Sequence, residues 1–193
     1  MAASEFDAFC RFAFAFLQGR GTRYLVVGGL AVVVVGEPRT TADADVIVFV
    51  SQTEAELLIA QAAEAGFELR EDVERRRLEE TGTMRFRKGR YQIDLITASL
   101  PFEEEAYRRA AFHQLFGVLL PFPTPEDLIL FKILAGRDKD ILDATGIVRR
   151  HIERLDTKYL EKTLQPLCEL AENMAPWKRL QEVLLRGRGL EKT

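Results

Sequence analysis

The sequence predicts an α+β fold in which a mixed β-sheet flanked by helices is followed by a helical domain. Over residues 1–120, short apolar runs rich in β-branched residues alternate with longer segments of helical periodicity. At residue 121 the pattern changes, and helical segments alone continue to the end of the chain. We therefore divide the chain into a mixed domain of residues 1–120, which begins with a helix, and a helical domain of residues 121–193.

The elements of the mixed domain are predicted from apolar periodicity and from the glycines between them. The predicted helices are residues 4–18, 30–36, 53–65 and 102–110. The predicted strands are residues 24–29, 44–50, 67–71, 82–89 and 90–97, with a turn at Lys88-Gly89 and an extended segment at 112–120. Residues 30–36 (LAVVVVG) have the composition of a strand. We predict a helix there, because a strand that ran on past Gly28-Gly29 would leave no route back to residues 44–50.

The helical domain starts at a clear helix-initiation signal. Thr124 suits the N-cap and Pro125 the first helical position. Glu126 and Asp127 follow in the first turn, where the helix dipole favours acidic side chains.

Composition excludes several classes of function. Of 193 residues, 47% are apolar and 30% charged, and the net charge of −3 argues against coating nucleic acid by bulk charge. Two cysteines and two histidines, far apart in sequence, do not suit a disulfide framework, a zinc site or a histidine-based triad. Because no apolar run could span a bilayer and the N-terminal segment does not resemble a signal peptide, we expect a cytoplasmic protein without a membrane partner.

Two aspartates stand at the start of the apolar run in RTTADADVIV, residues 39–48. In a strand, Asp43 and Asp45 would point to the same face, while both faces beyond Asp45 are apolar. The strand is therefore predicted to be central in the sheet. Two carboxylates side by side repel each other, so the strand end must be open to water or meet a positive group.

Asp94 is a third aspartate, set inside the apolar strand YQIDLIT. If this strand lies beside the strand at 44–50, three carboxylates converge at one edge of the sheet. Mg²⁺ (or Mn²⁺) is commonly held by one or two carboxylates, waters and substrate phosphates, and a pair of such ions can activate an attacking oxygen. On this hypothesis Asp43 and Asp45 bridge the metals, and Asp94 holds the one beside the acceptor. The alternative is structural: Asp43 and Asp45 cap a loop, and Asp94 pairs with an arginine.

The spacing of VGG (27–29) and DAD (43–45), thirteen residues apart, resembles the signature of the nucleotidyltransferase superfamily with the DNA polymerase β-type fold. In that signature a Gly-Gly or Gly-Ser pair precedes Asp-x-Asp, and a later strand carries a third carboxylate. The resemblance implies that Gly28 and Gly29 let the backbone approach a triphosphate, with the following helix offering free N–H groups to anionic oxygens.

A closer resemblance is to the minimal nucleotidyltransferases of the AbiEii toxin family. Their Arg-x-Thr-x-Asp-x-Asp motif corresponds here to Arg39, Thr41, Asp43 and Asp45. Their downstream block is similar to PEDLILFKILAGRDKDILDA, which contains Lys132, Lys139 and Asp140. The resemblance covers residues 22–145 and implies that Arg39, Thr41, Lys132 and Asp140 belong to the nucleotide site.

Lys132 has two interpretations from sequence alone. Its helix is apolar on almost every side, so the ammonium could reach water or pair with a carboxylate. The family resemblance favours a contact with the phosphates of the nucleotide. For Asp143, capping of the next helix is a sufficient explanation, whereas Asp140 could be a partner of Lys132 or of the acceptor.

The basic segment RFRKGR also has two interpretations. Arg85 and Arg87 share one strand face and Arg90 follows the turn. These arginines could simply guard a solvated sheet edge against aggregation, or they could guide an RNA backbone or a triphosphate.

The sequence therefore predicts a metal-dependent nucleotidyltransferase. It would transfer a nucleoside monophosphate from a nucleoside triphosphate, such as ATP, to an acceptor hydroxyl and release pyrophosphate. The resemblance implies the toxin of a toxin–antitoxin pair that acts on tRNA or another macromolecule, with a cognate antitoxin as partner. The alternatives are transfer to a small molecule such as an antibiotic, and a catalytically silent binding or antitoxin-like copy of the fold.

Overall fold

The computed structural model describes residues 4–37 and 40–189. These residues group into two compact units, of which the first contains residues up to Leu30 and Thr40–Phe122. The second contains the described residues of 31–39 together with those from 123 onward. The division after Phe122 lies beside the predicted boundary at 120/121. Sequence patterns did not indicate that residues 31–37 group with the helices.

The described residues of the first unit form two sheets. The strands described there are β1 (Tyr24–Val27), β2 (Asp43–Val48), β3 (Thr83–Lys88), β4 (Tyr91–Thr97), β5 (Ala111–Leu115) and β6 (Val118–Phe122). The first four form a mixed sheet in the order β1-β2-β4-β3, in which only the β2–β4 pairing is parallel. β5 and β6 form an antiparallel pair. The predicted α+β class with a mixed sheet is confirmed.

Helices accompany these strands along the chain. They are α1 (Glu5–Gly19), α2 (Gly28–Val35), α3 (Gln52–Glu64), α4 (Glu71–Thr81) and α5 (Pro101–Arg108). α1 and α3 each start with a capping box, formed by Ser4 with Asp7 and by Ser51 with Glu54. α1 packs against β4 and β6, and α4 packs against β3.

The core of the first unit is partly aromatic. Phe16 of α1 lies edge-on to Phe67 and to Phe86 of β3, with ring centroids 5.2 and 6.2 Å apart. Each ring is buried, and burying such a side chain typically contributes about 1.5–3 kcal/mol. These contacts fasten the N-terminal helix onto the sheet.

The prediction of a strand at residues 67–71 is largely wrong. The segment makes only an isolated bridge between Glu68 and Arg87, and the chain then enters α4. Three acidic residues in the first turn and Gly82 in the left-handed conformation at the C-cap favour this helix. α4 is so rich in charge that its apolar face, marked by Leu78, did not stand out in the sequence.

The helix predicted at 30–36 is confirmed as α2, although it starts earlier, at Gly28. Most of its residues are buried, which agrees with a helix that is apolar all round. The early start is explained by Gly28, whose φ of 62° turns the chain from β1 straight into the helix.

The described residues of the second unit from 123 onward form four helices. They are α6 (Pro125–Ala135), α7 (Asp138–His151), α8 (Thr157–Leu170) and α9 (Ala175–Gly187). Thr124 caps α6 as predicted, accepting a hydrogen bond from the backbone of Asp127. Apolar side chains from all four helices are fully buried, among them Ile133, Ile147 and Leu180. Within the described ranges, every helix is too short or too polar to cross a bilayer.

Candidate active site

The DAD segment forms the beginning of β2. Asp43 is exposed and Asp45 half-buried, whereas Val46–Val48 are buried on both faces of the strand. β2 lies between β1 and β4, so the predicted central position is confirmed. Because side chains alternate along a strand, the two carboxylates share one face. They stand where the strand opens to water, which reduces the cost of keeping both ionised.

Asp94 lies directly beside Asp45. β2 and β4 pair in parallel with these two residues in register, and Asp43 is in register with Gln92. Residues in register on neighbouring strands point to the same face, and the strands run about 4.8 Å apart. The predicted convergence of Asp43, Asp45 and Asp94 on one face of the sheet is therefore present.

Arg85 of β3 continues this row of residues. It is in register with Asp94, and its guanidinium donates two hydrogen bonds to the carboxylate, from Nε at 2.6 Å and from Nη2 at 2.8 Å. The hydrogen bonds to Asp94 raise the pKa of Arg85 above its ordinary value, with a smaller contribution from the negative charge of Asp43. The structural alternative, in which Asp94 pairs with an arginine, thus describes an actual contact. Two of the roughly four lone-pair positions of the carboxylate remain for other partners.

Gly28 packs against the carboxylate of Asp45. Its φ of 62° belongs to the left-handed region, and a Cβ at this position would collide with the Asp45 side chain. Only glycine avoids both the strain and the collision. Gly28 therefore allows β1, the start of α2 and the Asp45 carboxylate to meet within one short stretch of structure.

We expect Gly28→Ala to destabilise the protein by about 2 kcal/mol or more, because backbone strain and overlap with Asp45 add together. The nucleotidyl transfer that the sequence predicts should fall as Asp45 is displaced. Gly21→Ala is the matched control, since Gly21 has a φ of 65° and no atom within 4 Å of its Cβ position. It should show the strain alone, about 1 kcal/mol. Equal losses in urea unfolding for both variants would show that the Asp45 contact is unimportant.

Thr41 lies just before β2, and Arg39 lies outside the described residues. The Thr41 hydroxyl donates a hydrogen bond of 3.0 Å to the backbone carbonyl of Asp43. This bond fixes the approach of the chain to the first aspartate. The predicted role of Thr41 in nucleotide binding stays a prediction, as does that of Arg39.

We call Asp43, Asp45 and Asp94 the carboxylate row, and their oxygens are ligands that suit a hard divalent cation. Among the described residues, no three His, Cys, Asp or Glu side chains are grouped so that they could hold a metal ion by themselves. Mg²⁺ or Mn²⁺ needs only one or two protein carboxylates when phosphates and waters complete the shell, and Asp43 with Asp45 offers two. Asp94 can contribute only the lone pairs that Arg85 leaves unused.

In the second unit, Lys132 is buried rather than at a surface. Its side chain is 5% exposed, and its Nζ lies 3.0 Å from Asp140 and 2.8 Å from Asp143. Burial by itself would raise the pKa of Asp140, but hydrogen bonds from Arg137 and Lys132 outweigh it and hold that pKa below its ordinary value. Asp140 and Lys132 are thus partners, one of the two options that the sequence left open for Asp140.

Sequence reasoning missed one contact of Lys132 and did not identify which arginine pairs with Asp94. Asp143 is a direct partner of Lys132 as well as a residue near the start of a helix. The spacing of Asp140 and Asp143 could have predicted this contact, because residues three positions apart lie on one face of a helix. Arg85 is bound to Asp94. The sequence could have identified this pair only through the register of the β3–β4 hairpin, which depends on where the turn lies.

Solved structures share the fold. An antigenic nucleotidyltransferase-like protein from Paracoccidioides brasiliensis is 16% identical, with a TM-score of 0.50 and 92% of each chain covered. The lincosamide antibiotic adenylyltransferase LnuA, bound to lincomycin, is 14% identical, with a TM-score of 0.50 and 75% of this chain and 96% of that one covered. ANT(2″)-Ia, in complex with adenylyl-2″-tobramycin, is 15% identical, with a TM-score of 0.53 and coverages of 83% and 95%. At these identities the likeness shows the fold alone, and the predicted nucleotidyltransferase-type fold is confirmed.

Sequence comparison identifies the family. No match is found among curated proteins. A family model described as "Nucleotidyltransferase of unknown function (DUF6036)" matches residues 14–186, which is most of the chain. The matched region includes the glycine pair, all three aspartates of the carboxylate row and Lys132. The chain therefore belongs to the DUF6036 family and is a nucleotidyltransferase.

Proposed function

We propose that this nucleotidyltransferase transfers a nucleoside monophosphate from a nucleoside triphosphate to an acceptor hydroxyl, using Mg²⁺ or Mn²⁺ held by Asp43 and Asp45. The observation that carries the proposal is the register of β2 and β4, which puts three carboxylates on one face of the sheet. A divalent cation bound there would offset the repulsion between these carboxylates.

The divalent ion, when bound, would neutralise phosphate charge and make the acceptor hydroxyl easier to deprotonate. The acceptor oxygen forms a bond to the α-phosphorus while the bond from that phosphorus to the bridging oxygen breaks, and pyrophosphate leaves. Asp94 receives the proton of the acceptor hydroxyl through an oxygen lone pair that Arg85 does not use. Arg85 keeps the Asp94 carboxylate oriented during this step.

Gly28 and Gly29 have a separate role in the proposal. They form the first turn of α2, where backbone N–H groups lack partners within the helix. Such groups bind anionic oxygens well, and the absence of side chains lets phosphate approach closely. Thr41 and Arg39, which precede β2, complete the proposed nucleotide site. Lys132 and Asp140 are proposed to contribute to nucleotide binding on the family resemblance alone.

The acceptor is the open part of the reaction. The resemblance to AbiEii-type toxins makes tRNA or another macromolecule the first candidate, with a protein antitoxin as the matching partner. The second candidate is an antibiotic hydroxyl, since the fold is shared with enzymes whose structures hold lincomycin and adenylyl-2″-tobramycin. Membership of an enzyme family favours both over a catalytically silent copy.

The test is an incubation of the full chain with each of the four labelled nucleoside triphosphates and Mg²⁺ or Mn²⁺. The acceptors are total tRNA, a lincosamide and an aminoglycoside. We expect pyrophosphate release together with label on one acceptor, which identifies the acceptor class. The Asp43→Asn/Asp45→Asn double variant is the control and should release none. If no acceptor and no triphosphate gave pyrophosphate above that control, the proposed reaction would be wrong.

A further inference from the structure

A groove between α4 and β3 contains an excess of positive charge. Its volume is about 460 Å³, within the range of small-molecule sites. We call it the arginine groove; the residues that define it are Arg70, Val73, Glu74, Arg77, Arg85 and Arg87. Glu68 also lines the groove. The lining therefore contains four arginines and two glutamates.

The two glutamates are already engaged by backbone groups. Glu74 is buried and accepts a hydrogen bond of 2.7 Å from the backbone N–H of Arg85. Glu68 accepts one of 3.0 Å from the backbone N–H of Gly89. These hydrogen bonds fix the positions of both carboxylates without changing their charge. Because four arginines face two glutamates, the lining itself keeps an excess of positive charge.

Two of the arginines retain unused donors. Arg77 Nε lies 3.3 Å from Glu74 but is a buried nitrogen that makes no hydrogen bond within the described part of the chain. Arg87 is exposed and its guanidinium has no hydrogen bond or ion pair among the same residues. Arg77 Nε itself is closed to a ligand, but the Arg77 side chain is 35% exposed, so part of it can contact a ligand in the groove.

Arg70 and Arg85 complete the lining in different ways. Arg70 is paired with Asp72 at 2.7 Å, but this pair is exposed on both sides and is weak. Arg85 is committed to Asp94. The groove therefore adjoins the carboxylate row through one shared residue, while Arg70, Arg77 and Arg87 are left to receive a ligand.

We infer that the arginine groove is a binding site for a phosphate group, carried by a small molecule or by a nucleic-acid backbone. Guanidinium groups bind phosphate oxygens with paired, charge-assisted hydrogen bonds, which suits a cluster of arginines better than it suits any neutral ligand. This binding does not require nucleotidyl transfer, so it goes beyond the proposed function. If both hold, a phosphate-bearing acceptor would be placed next to Asp94.

The inference is tested by calorimetric titration in the presence of EDTA, so that no divalent ion recruits phosphate to Asp43 and Asp45. The two probes are inorganic pyrophosphate and a short single-stranded oligoribonucleotide, at one fixed ionic strength. The groove variant is Arg70→Gln/Arg87→Gln, in which both changed side chains are exposed. The control is Arg108→Gln/Arg154→Gln, which removes the same charge from two exposed arginines elsewhere. Arg108 is ion-paired, whereas Arg154 has no ion pair with any residue of 4–37 or 40–189.

We expect the parent and the control to bind at least one probe with affinities within about twofold of each other. The groove variant should bind that probe about tenfold or more weakly, because it loses charge-assisted contacts. Pyrophosphate binding alone identifies a small phosphate ligand, and oligoribonucleotide binding alone identifies a nucleic-acid backbone. Equal losses in both double variants, or no binding of either probe by the parent, would overturn the inference. Transfer activity is measured separately, so a failure of the groove leaves the proposed reaction standing.

Discussion

Asp45→Asn is expected to abolish nucleotidyl transfer while leaving the protein folded. Asp45 shares a strand face with Asp43, is in register with Asp94 and packs against Gly28, so it is the central carboxylate of the row. Metal ions stabilise a transition state of this kind by several kcal/mol, and each 1.36 kcal/mol is worth tenfold in rate. We therefore expect transfer to fall by roughly 10³-fold or more.

The fold should tolerate this substitution because Asn has almost the same shape and keeps hydrogen-bonding atoms at the position. In metal-free buffer the variant should still unfold in a single cooperative transition. Addition of Mg²⁺ with a nucleoside triphosphate should raise the melting temperature of the parent and not that of Asp45→Asn. Glu64→Gln, at an exposed position near the end of α3, serves as the control and should behave like the parent. Equal transfer by Asp45→Asn and parent at saturating Mg²⁺ would falsify the metal-binding role.

Of the single substitutions considered, Lys132→Met is expected to cause the largest loss in the free energy of unfolding. The substitution keeps the length and apolar character of the side chain but leaves the carboxylates of Asp140 and Asp143 without the ammonium between them. Removing one partner of a buried ion pair typically costs about 3–5 kcal/mol, out of a total of about 5–15 kcal/mol for a domain. Urea unfolding should therefore shift to clearly lower denaturant concentration.

Two further variants separate this mechanism from a general effect of losing a lysine. Lys162→Met, at an exposed position of α8, should leave stability within about 0.5 kcal/mol of the parent. Lys132→Met/Asp143→Leu should regain part of the loss, because one of the two buried carboxylates that face the ammonium is removed with it, while Asp140 keeps its contact with Arg137. An unchanged unfolding midpoint for Lys132→Met would contradict the buried ion-pair account. Nucleotide titration of the same variants, at a temperature where all are folded, tests whether Lys132 also contacts phosphate.

Most of the carboxylate row could be predicted from sequence, because its position in the fold depends on strong local signals. The apolar runs around Asp45 and Asp94 are too hydrophobic for edge strands, so both had to lie inside the sheet. Two buried strands of a small sheet are commonly neighbours, which brings the aspartates together. The glycine pair set the end of β1 and the start of a helix for equally local reasons.

The Arg85–Asp94 pair was not accessible, because it depends on the turn to within one residue. The sequence suggested a turn at Lys88-Gly89, whereas in the structure Lys88 pairs with Tyr91 and the turn falls at Gly89-Arg90. Moving a hairpin turn by one position changes every cross-strand partner. The burial of Lys132 was hidden for a different reason: its partners Asp140 and Asp143 lie on the next helix, and local pattern does not reveal how two helices face each other.

The parallel pairing of β2 with β4 also has a consequence for the order in which the protein assembles. β3 and β4 form a hairpin with a two-residue turn, and contacts that are close in sequence form faster than distant ones. Arg85 is therefore expected to hold Asp94 before β2, which comes from a distant part of the chain, reaches its place in the sheet. Asp45 then arrives beside a carboxylate whose charge is already compensated. In this order the Arg85 guanidinium lowers the electrostatic barrier to docking β2. The negative charges of Asp45 and Asp94 come together only after that of Asp94 has been compensated.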